Sequence, residues 1–298
     1  MARSIADAST LAQQHAPYLR RLLETETLTL SDPGSLESQI DDILTEPDLD
    51  LTVPELMVHL RRNKSKIHLA LALLDISGSL SQSQVTRILT RFADCCCERA
   101  LQLALMQEGC GSGHLAIFAL GKMGAFELNY SSDIDLIAFY DGDAFDGGAR
   151  DAGEAASRAI REAMCILSER TADGYVFRTD LRLRPDPSST PLAISTRRAE
   201  LYYESVGQNW ERMAWIKGRP AAGDLDLGTA FLKTLEPYMW RKHLDYWAIA
   251  DVQAVKSMIN TKLDRKDVKD PSPDLKLGPG GIREIEFFVQ TQQIILGG

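Results

Sequence analysis

Two aspartates, Asp133 and Asp135, stand one residue apart in the apolar run SDIDLIAFY. A carboxylate flanked by Ile134, Leu136 and Ile137 needs compensation. In an extended segment alternate residues share a face, so the two carboxylates project together. Two ionised carboxylates that close repel each other, and a shared proton, a basic partner or a divalent cation relieves the repulsion. Hard oxygen ligands suit Mg²⁺, which one or two carboxylates hold alongside substrate phosphates. A third acid, Asp180, recurs in FRTDLRLRP, and the same alternation puts Arg182 and Arg184 on its face. Three aspartates and two arginines on one sheet suit nucleotidyl or phosphoryl transfer. Metal ions would clamp phosphate oxygens and activate the attacking oxygen, and arginines would neutralise charge on the transferred group.

Neighbouring residues extend this reading. In GKMG, Gly121 and Gly124 let backbone N–H groups approach a phosphate, and Ser131 and Ser132 add hydroxyls. A D-x-D pair on a solvent-facing sheet edge needs no function by itself; the glycine turn, the D-x-D and a third aspartate on a later strand make the more specific signal. WERMAWIKGRP carries Glu211, Arg212, Lys217 and Arg219. It reads either as an amphipathic helix packing Trp210, Met213 and Trp215, or as a phosphate-facing helix. In GGIREIEF, Ile282, Ile285 and Phe288 make a core stripe at helical spacing, beside Arg283, Glu284 and Glu286. Acidic residues in a first turn suit the helix dipole, while the Gly-Gly opening leaves a helix N-terminus available to an anion. The five histidines show no ligand or triad spacing, and no serine or cysteine has an evident partner base.

These side chains need a scaffold, and hydrophobic periodicity supplies one. Helices are expected over 4–30, 35–45, 53–76 and 81–107, with Ser81 or Ser83 capping the last and turns at Asp32-Pro33-Gly34 and Ser77-Gly78-Ser79. The basic stretch RRNKSK, 61–66, reads as a solvated helix face. Strands are expected at 114–120, 132–140, 175–184 and 192–195, with a helix over about 150–172. Helices follow at 196–216, 226–240 and 246–265, then a polar loop at 264–274 and a last helix after Gly280-Gly281. The expected class is α+β and mostly helical: a small mixed sheet flanked by helical regions.

Composition bounds the function. The 298 residues are 44% hydrophobic and 25% charged, with a net charge of -9 and a pI near 5.2. An acidic chain is a poor general partner for nucleic acid. The N-terminus lacks the apolar core of a signal peptide, and no run matches a membrane span. The five cysteines have no C-x-x-C spacing, and the adjacent Cys95, Cys96 and Cys97 cannot converge on one metal from a helix. Reduced cytoplasmic thiols are the expectation.

The spacing resembles the polymerase β-type nucleotidyltransferase superfamily: strand, glycine-containing turn, D-x-D, then a third carboxylate on another strand. Four stretches are more specific. LGKMGAFELNYSSDIDLIAFYD, DLRLRP, NWERMAWIKGRP and LKLGPGGIREIEFFVQ together resemble the bifunctional glutamine synthetase adenylyltransferase/adenylyl-removing enzymes. The resemblance covers about residues 114–296 and extends more loosely to the leading helices. Ala125 and Phe126 depart from it, standing where a small glycine-rich pair is expected.

The resemblance implies two nucleotidyltransferase halves in one long chain, of which this sequence matches the N-terminal, adenylyl-removing half. That half would phosphorolyse AMP from a tyrosine of glutamine synthetase, releasing ADP; the other attaches AMP from ATP. Asp133, Asp135 and Asp180 would ligate the metal. Gly121 and Ser132 would line the phosphate side, and Arg182 and Arg184 would hold anionic groups. Lys217 and Arg219 gain weight as phosphate ligands, with Ser131, Arg212, Arg283, Glu284 and Glu286 as secondary candidates. The implied partners are adenylylated glutamine synthetase, inorganic phosphate, an adenine nucleotide and a PII-type signalling protein. The expected divisions are a helical region at 1–108, the nucleotidyltransferase core at 109–220, and a helical region at 221–298 that looks truncated. The alternatives are a catalytically silent binding module, the AMP-attaching activity, or a polymerase of the same superfamily; the charge and the intact aspartates weigh against the first and last.

Overall fold

Prolines set the first breaks. Ala16 precedes Pro17 and is forced into an extended conformation (φ -123°, ψ 95°). The expected 4–30 helix therefore divides into α1 (Ile5–His15) and α2 (Pro17–Thr25). Pro33, expected in a turn, instead opens α3 (Pro33–Thr45), and Asp32 Oδ1 accepts from Ser35 N at 2.9 Å. The computed structural model describes residues 3–45, 51–111, 113–147, 151–240, 275–276, 278 and 280–296.

Two long helices carry the leading region: α4 (Val53–Ser77) and α5 (Gln82–Glu108). Ser81 caps α5 as expected, accepting from Gln84 N while Gln84 Oε1 accepts from Ser81 N at 2.8 Å. The RRNKSK stretch on α4 is a correction, because Arg61 and Asn63 are buried and Lys64 is half-buried. Arg61 donates to the carbonyls of Met57 (2.8 Å), Ile166 (3.1 Å), Glu169 (2.5 Å) and Gly174 (2.9 Å). Three of these acceptors lie at and just beyond the C-terminus of α7 (Ala152–Ser168), where helix carbonyls lack intrahelical donors. A guanidinium with five donors satisfies them, so the charge turns inward.

The sheet has five strands: β1 (Leu115–Leu120), β2 (Ile134–Tyr140), β3 (Thr179–Asp180), β4 (Ala193–Ser195) and β5 (Arg219–Gly223). Strand β1 runs antiparallel to both β2 and β5, while β3 and β4 pair parallel with successive parts of β2. The fold is α+β and mostly helical, with a small mixed sheet. One face buries Leu115, Ile117, Leu136 and Ala138 with α5 and α7. The other buries Phe118, Ile137 and Phe139 with Tyr203, Trp215 and Phe231. Those aromatics lie on or near α8 (Thr196–Ser205), α9 (Asn209–Trp215) and α10 (Leu225–Met239), with Phe139 and Phe231 centroids 4.7 Å apart.

Three further expectations change. The 196–216 helix is interrupted between α8 and α9 by Val206-Gly207-Gln208. The strand expected over 175–184 shrinks to Thr179–Asp180, because Asp180 Oδ1 accepts from Arg182 N at 2.8 Å and turns the chain out of the sheet. Strand β5, RPAAG, has no β-branched residue to announce it; pairing with β1 creates it, with a register shift between Ile117 and Phe118. The last helix, α11 (Ile282–Leu296), follows Gly281 as expected. Its Ile282, Ile285 and Phe288 stripe is exposed rather than core, because α11 turns its Glu286–Gln290–Ile294 side inward. The helix expected at 246–265 and the loop at 264–274 lie outside the described residues.

Candidate active site

The β1–β2 register sets Leu120 opposite Asp135, which brings the following turn, α6 (Gly121–Gly124), onto the Asp135 carboxylate. Gly121 has φ 55°, and a Cβ there would lie 2.6 Å from Asp135 Oδ2. Only glycine fits both demands. On the other side of β2, the parallel register sets Asp180 beside Asp135. Burial first, then the charges of Asp180 and Asp133, push Asp135 from 3.8 up to about 6; Arg182 and Lys276 oppose this weakly. Asp135 is therefore a half-buried carboxylate with too much negative charge around it.

The other two aspartates are held by arginines. Asp133 pairs with Arg178, which also donates to Ser131 O at 2.8 Å and Tyr175 Oη at 3.0 Å. Asp180 takes a forked contact from Arg182, with Nε at 2.9 Å and Nη2 at 2.5 Å from Oδ2. This contact holds the Asp180 carboxyl below its ordinary range. The Arg182 side chain is 84% exposed. Among the described residues, no three His, Cys, Asp or Glu side chains are grouped as a cation would need. Asp135 and Asp180, adjacent in register and oxygen-only, are the pair whose chemistry suits a hard cation.

The remaining candidates divide between the site and its supports. Ser132 is half-buried, and its N–H donates to Asn129 O at 3.3 Å. Ser131 is exposed and reaches the site through its carbonyl on Arg178. Gly124, expected near a phosphate, packs on Lys217: a Cβ there would lie 1.9 Å from Lys217 O. Gly124→Ala is expected to lower stability by about 2 kcal/mol, because backbone on both sides must shift; a urea midpoint unchanged from wild type would contradict this packing.

Lys217 Nζ bridges Glu127 (3.2 Å) and Glu286 of α11 (3.5 Å), so the KGRP and GGIREIEF stretches do meet. Arg283 is exposed with its N–H on Lys276 O at 3.1 Å, and Glu284 accepts from Gly280 N at 2.8 Å. Arg219 instead grips half-buried Asp94 at 2.8 Å and lies 4.1 Å from the centroid of the Phe126 ring. That contact gives Phe126 a role in the turn that departs from the expected small pair. Arg212 is buried, donating to Tyr238 O at 2.7 Å and Asn209 Oδ1 at 2.9 Å.

Arg184 does not share a face with Asp180 as strand alternation predicted. Having left the sheet, it donates to the carbonyls of Leu181 (2.9 Å), Pro187 (2.8 Å), Thr190 (3.3 Å) and Pro191 (3.1 Å). Arg184→Lys is expected to lower stability by about 1 kcal/mol through lost loop contacts. A urea midpoint unchanged from wild type would contradict this role.

Arg178 and Lys276 are the site neighbours that the sequence reading missed. Arg178 carried a usable signal, standing two residues before Asp180 and hence on its side by alternation. Lys276 stands in LKLGPGGIREIEFFVQ, one of the stretches that carry the resemblance, but only the fold brings its charge to bear on Asp135.

A family model described as glutamate-ammonia ligase adenylyltransferase matches residues 1–234. The chain belongs to the glutamate-ammonia ligase adenylyltransferase family. Curated relatives carry the name bifunctional glutamine synthetase adenylyltransferase/adenylyl-removing enzyme. That of Mesorhizobium japonicum is 49% identical over 82% of this chain and 26% of the relative. That of Caulobacter vibrioides is 47% identical over 95% of this chain and 31% of the relative. That of Agrobacterium fabrum is 43% identical over 99% of this chain and 32% of the relative. The chain thus spans about a third of the length of these adenylyltransferase-family relatives or less. A second model, GlnD PII-uridylyltransferase, matches residues 253–297. Among the described residues, no helix is long and apolar enough to cross a membrane.

Proposed function

We propose that this chain is a Mg²⁺-dependent nucleotidyltransferase core that removes AMP from an adenylylated tyrosine of glutamine synthetase. The observation that carries the reading is Asp135, seated against Gly121 and beside Asp180 with uncompensated charge. Asp135 and Asp180 would hold Mg²⁺, with Asp133 joining once Arg178 releases it. A bound Mg²⁺ would supply charge neutralisation to phosphate oxygens at these carboxylates. A phosphate oxygen attacks the adenylyl phosphorus, the bond to the tyrosine oxygen breaks, that oxygen takes a proton, and ADP leaves. Arg182, exposed beside the carboxylates, would meet the charge on the incoming phosphate.

The names of the relatives support glutamine synthetase as the substrate, and the match to a PII-uridylyltransferase model supports a PII-type signalling protein as a partner. The deciding experiment incubates the chain with adenylylated glutamine synthetase, phosphate and Mg²⁺ and measures ADP. ADP release that EDTA stops is the expected result. Transfer of AMP from ATP onto unmodified glutamine synthetase would reverse the assigned direction. One observation favours a silent binding module instead, namely that arginines already neutralise Asp133 and Asp180. Absence of both reactions would favour that reading.

A further inference from the structure

A cleft of about 550 Å³ lies between α2, α4, the segment before β2 and the turn after α7. Its walls include Tyr18, Arg21, Lys64, His68, Arg170 and Tyr175, and none of the three aspartates of the candidate active site. Four lining residues are cationic, counting Arg61, against one acid, Asp173. That excess stands out on a chain of net charge -9.

Among the described residues, Arg21, Lys64 and Arg170 have no carboxylate within ion-pair distance. Lys64 donates to Tyr175 O at 2.9 Å and lies 4.3 Å from the centroid of the Tyr175 ring. Burial pushes its ammonium down to about 8, and Arg61 and Arg178 add to the shift. An unpaired, partly desolvated cation of this kind is stabilised by an anion.

Neutral polar groups are also left over. His68 is 2% exposed, and burial pushes its imidazole down to about 3, so it is neutral. Its Nδ1 meets Tyr18 Oη at 3.2 Å, while among the described residues Nε2 has no hydrogen-bond partner. Tyr130 Oη, on another wall, is likewise buried and unpartnered. Buried polar atoms rarely stay unpaired.

We propose that this cleft is a second anion site, taking a small phosphate-bearing ligand of mononucleotide size or less. Three cations without acidic partners match the two charges and several oxygens of a phosphate better than a single carboxylate. The volume suits a small ligand, and the Tyr18 and Tyr175 rings offer apolar walls. The proposal goes beyond the deadenylylation reading and does not need it, since the site is defined by binding alone.

The test is calorimetric titration of the full chain with inorganic phosphate and, separately, with AMP, in EDTA so that no metal assists the aspartates. One-to-one binding of at least one probe is expected. Phosphate binding alone identifies free phosphate as sufficient; AMP binding alone identifies a phosphate ester. Arg170→Ala and Lys64→Met should each weaken binding by about tenfold, and Asp135→Asn should leave it unchanged. If Lys64→Met melts well below wild type, Arg170→Ala and Arg21→Ala, both of exposed side chains, decide. No heat from either probe up to about 10 mM, the affinity of a negligible site, overturns the proposal. So does binding that survives the cleft variants, or binding that Asp135→Asn abolishes.

Discussion

Asp135→Asn is expected to cut ADP release from adenylylated glutamine synthetase by at least about 100-fold, with no loss of thermal stability. The substitution keeps the shape of the side chain, so Gly121 still fits against it. It removes the anionic oxygen that the proposed Mg²⁺ needs, and an amide is a poor substitute for a hard cation. Stability should not fall, because the wild-type carboxylate is repelled by Asp180 and Asp133 and partly desolvated.

The sign of the pH effect follows. The folded carboxyl titrates near 6 against 3.8 when ordinary, so between those values the folded state binds the extra proton. Metal-free wild type therefore gains stability from this group as pH falls from about 6 toward 3.8, and loses it as pH rises through the folded value. Asp135→Asn should lack that component. Melting curves at pH 5 and pH 8 in EDTA, alongside the ADP assay, check both claims. Near-wild-type turnover in a normally melting variant would remove Asp135 from the reaction.

Arg61→Met should lower folding stability by about 3 kcal/mol, the combined loss of several charge-assisted contacts. Methionine keeps much of the buried stem and removes every donor. The carbonyls of Glu169 and Gly174 lose a partner at 2.5 Å and 2.9 Å, and the Ile166 carbonyl loses one at 3.1 Å. All three belong to the end of α7 and the turn after it, which lead directly into Arg178 and Asp180. The defect should therefore spread toward the carboxylates. Arg61→Lys should recover part of the stability, since one ammonium cannot reach all four acceptors. A urea midpoint within error of wild type for Arg61→Met would mean that water serves these carbonyls equally well.

The sequence was most legible where local rules act alone. The Ser81 cap, α5 itself, strands β1 and β2, and α7 all follow from capping residues and apolar runs that need no distant partner. It was least legible where a distant segment decides. Strand β5 exists because β1 offers an edge to RPAAG, and Arg61 is buried because the α7 carbonyls require donors. The exposed Ile282–Ile285–Phe288 stripe belongs to the same class, since periodicity identifies an apolar face without saying what covers it.

By itself the sequence determined the family and the α+β class, and it put forward the three aspartates as the candidate centre. Spacing along one strand and four local motifs carry that information without reference to the rest of the chain. Only the tertiary structure decided how the charges are shared. Parallel pairing put Asp180 beside Asp135, an Asx turn released Arg182 and Arg184 from the sheet, and Arg178 took Asp133. Arg184 and Arg219, equivalent to other arginines in a string of letters, became a loop clamp and a helix tie. Strand alternation fixes the face of a side chain only while the strand lasts. Where the chain turns, each guanidinium goes to whichever carbonyls or carboxylates the fold has brought within reach and left short of donors.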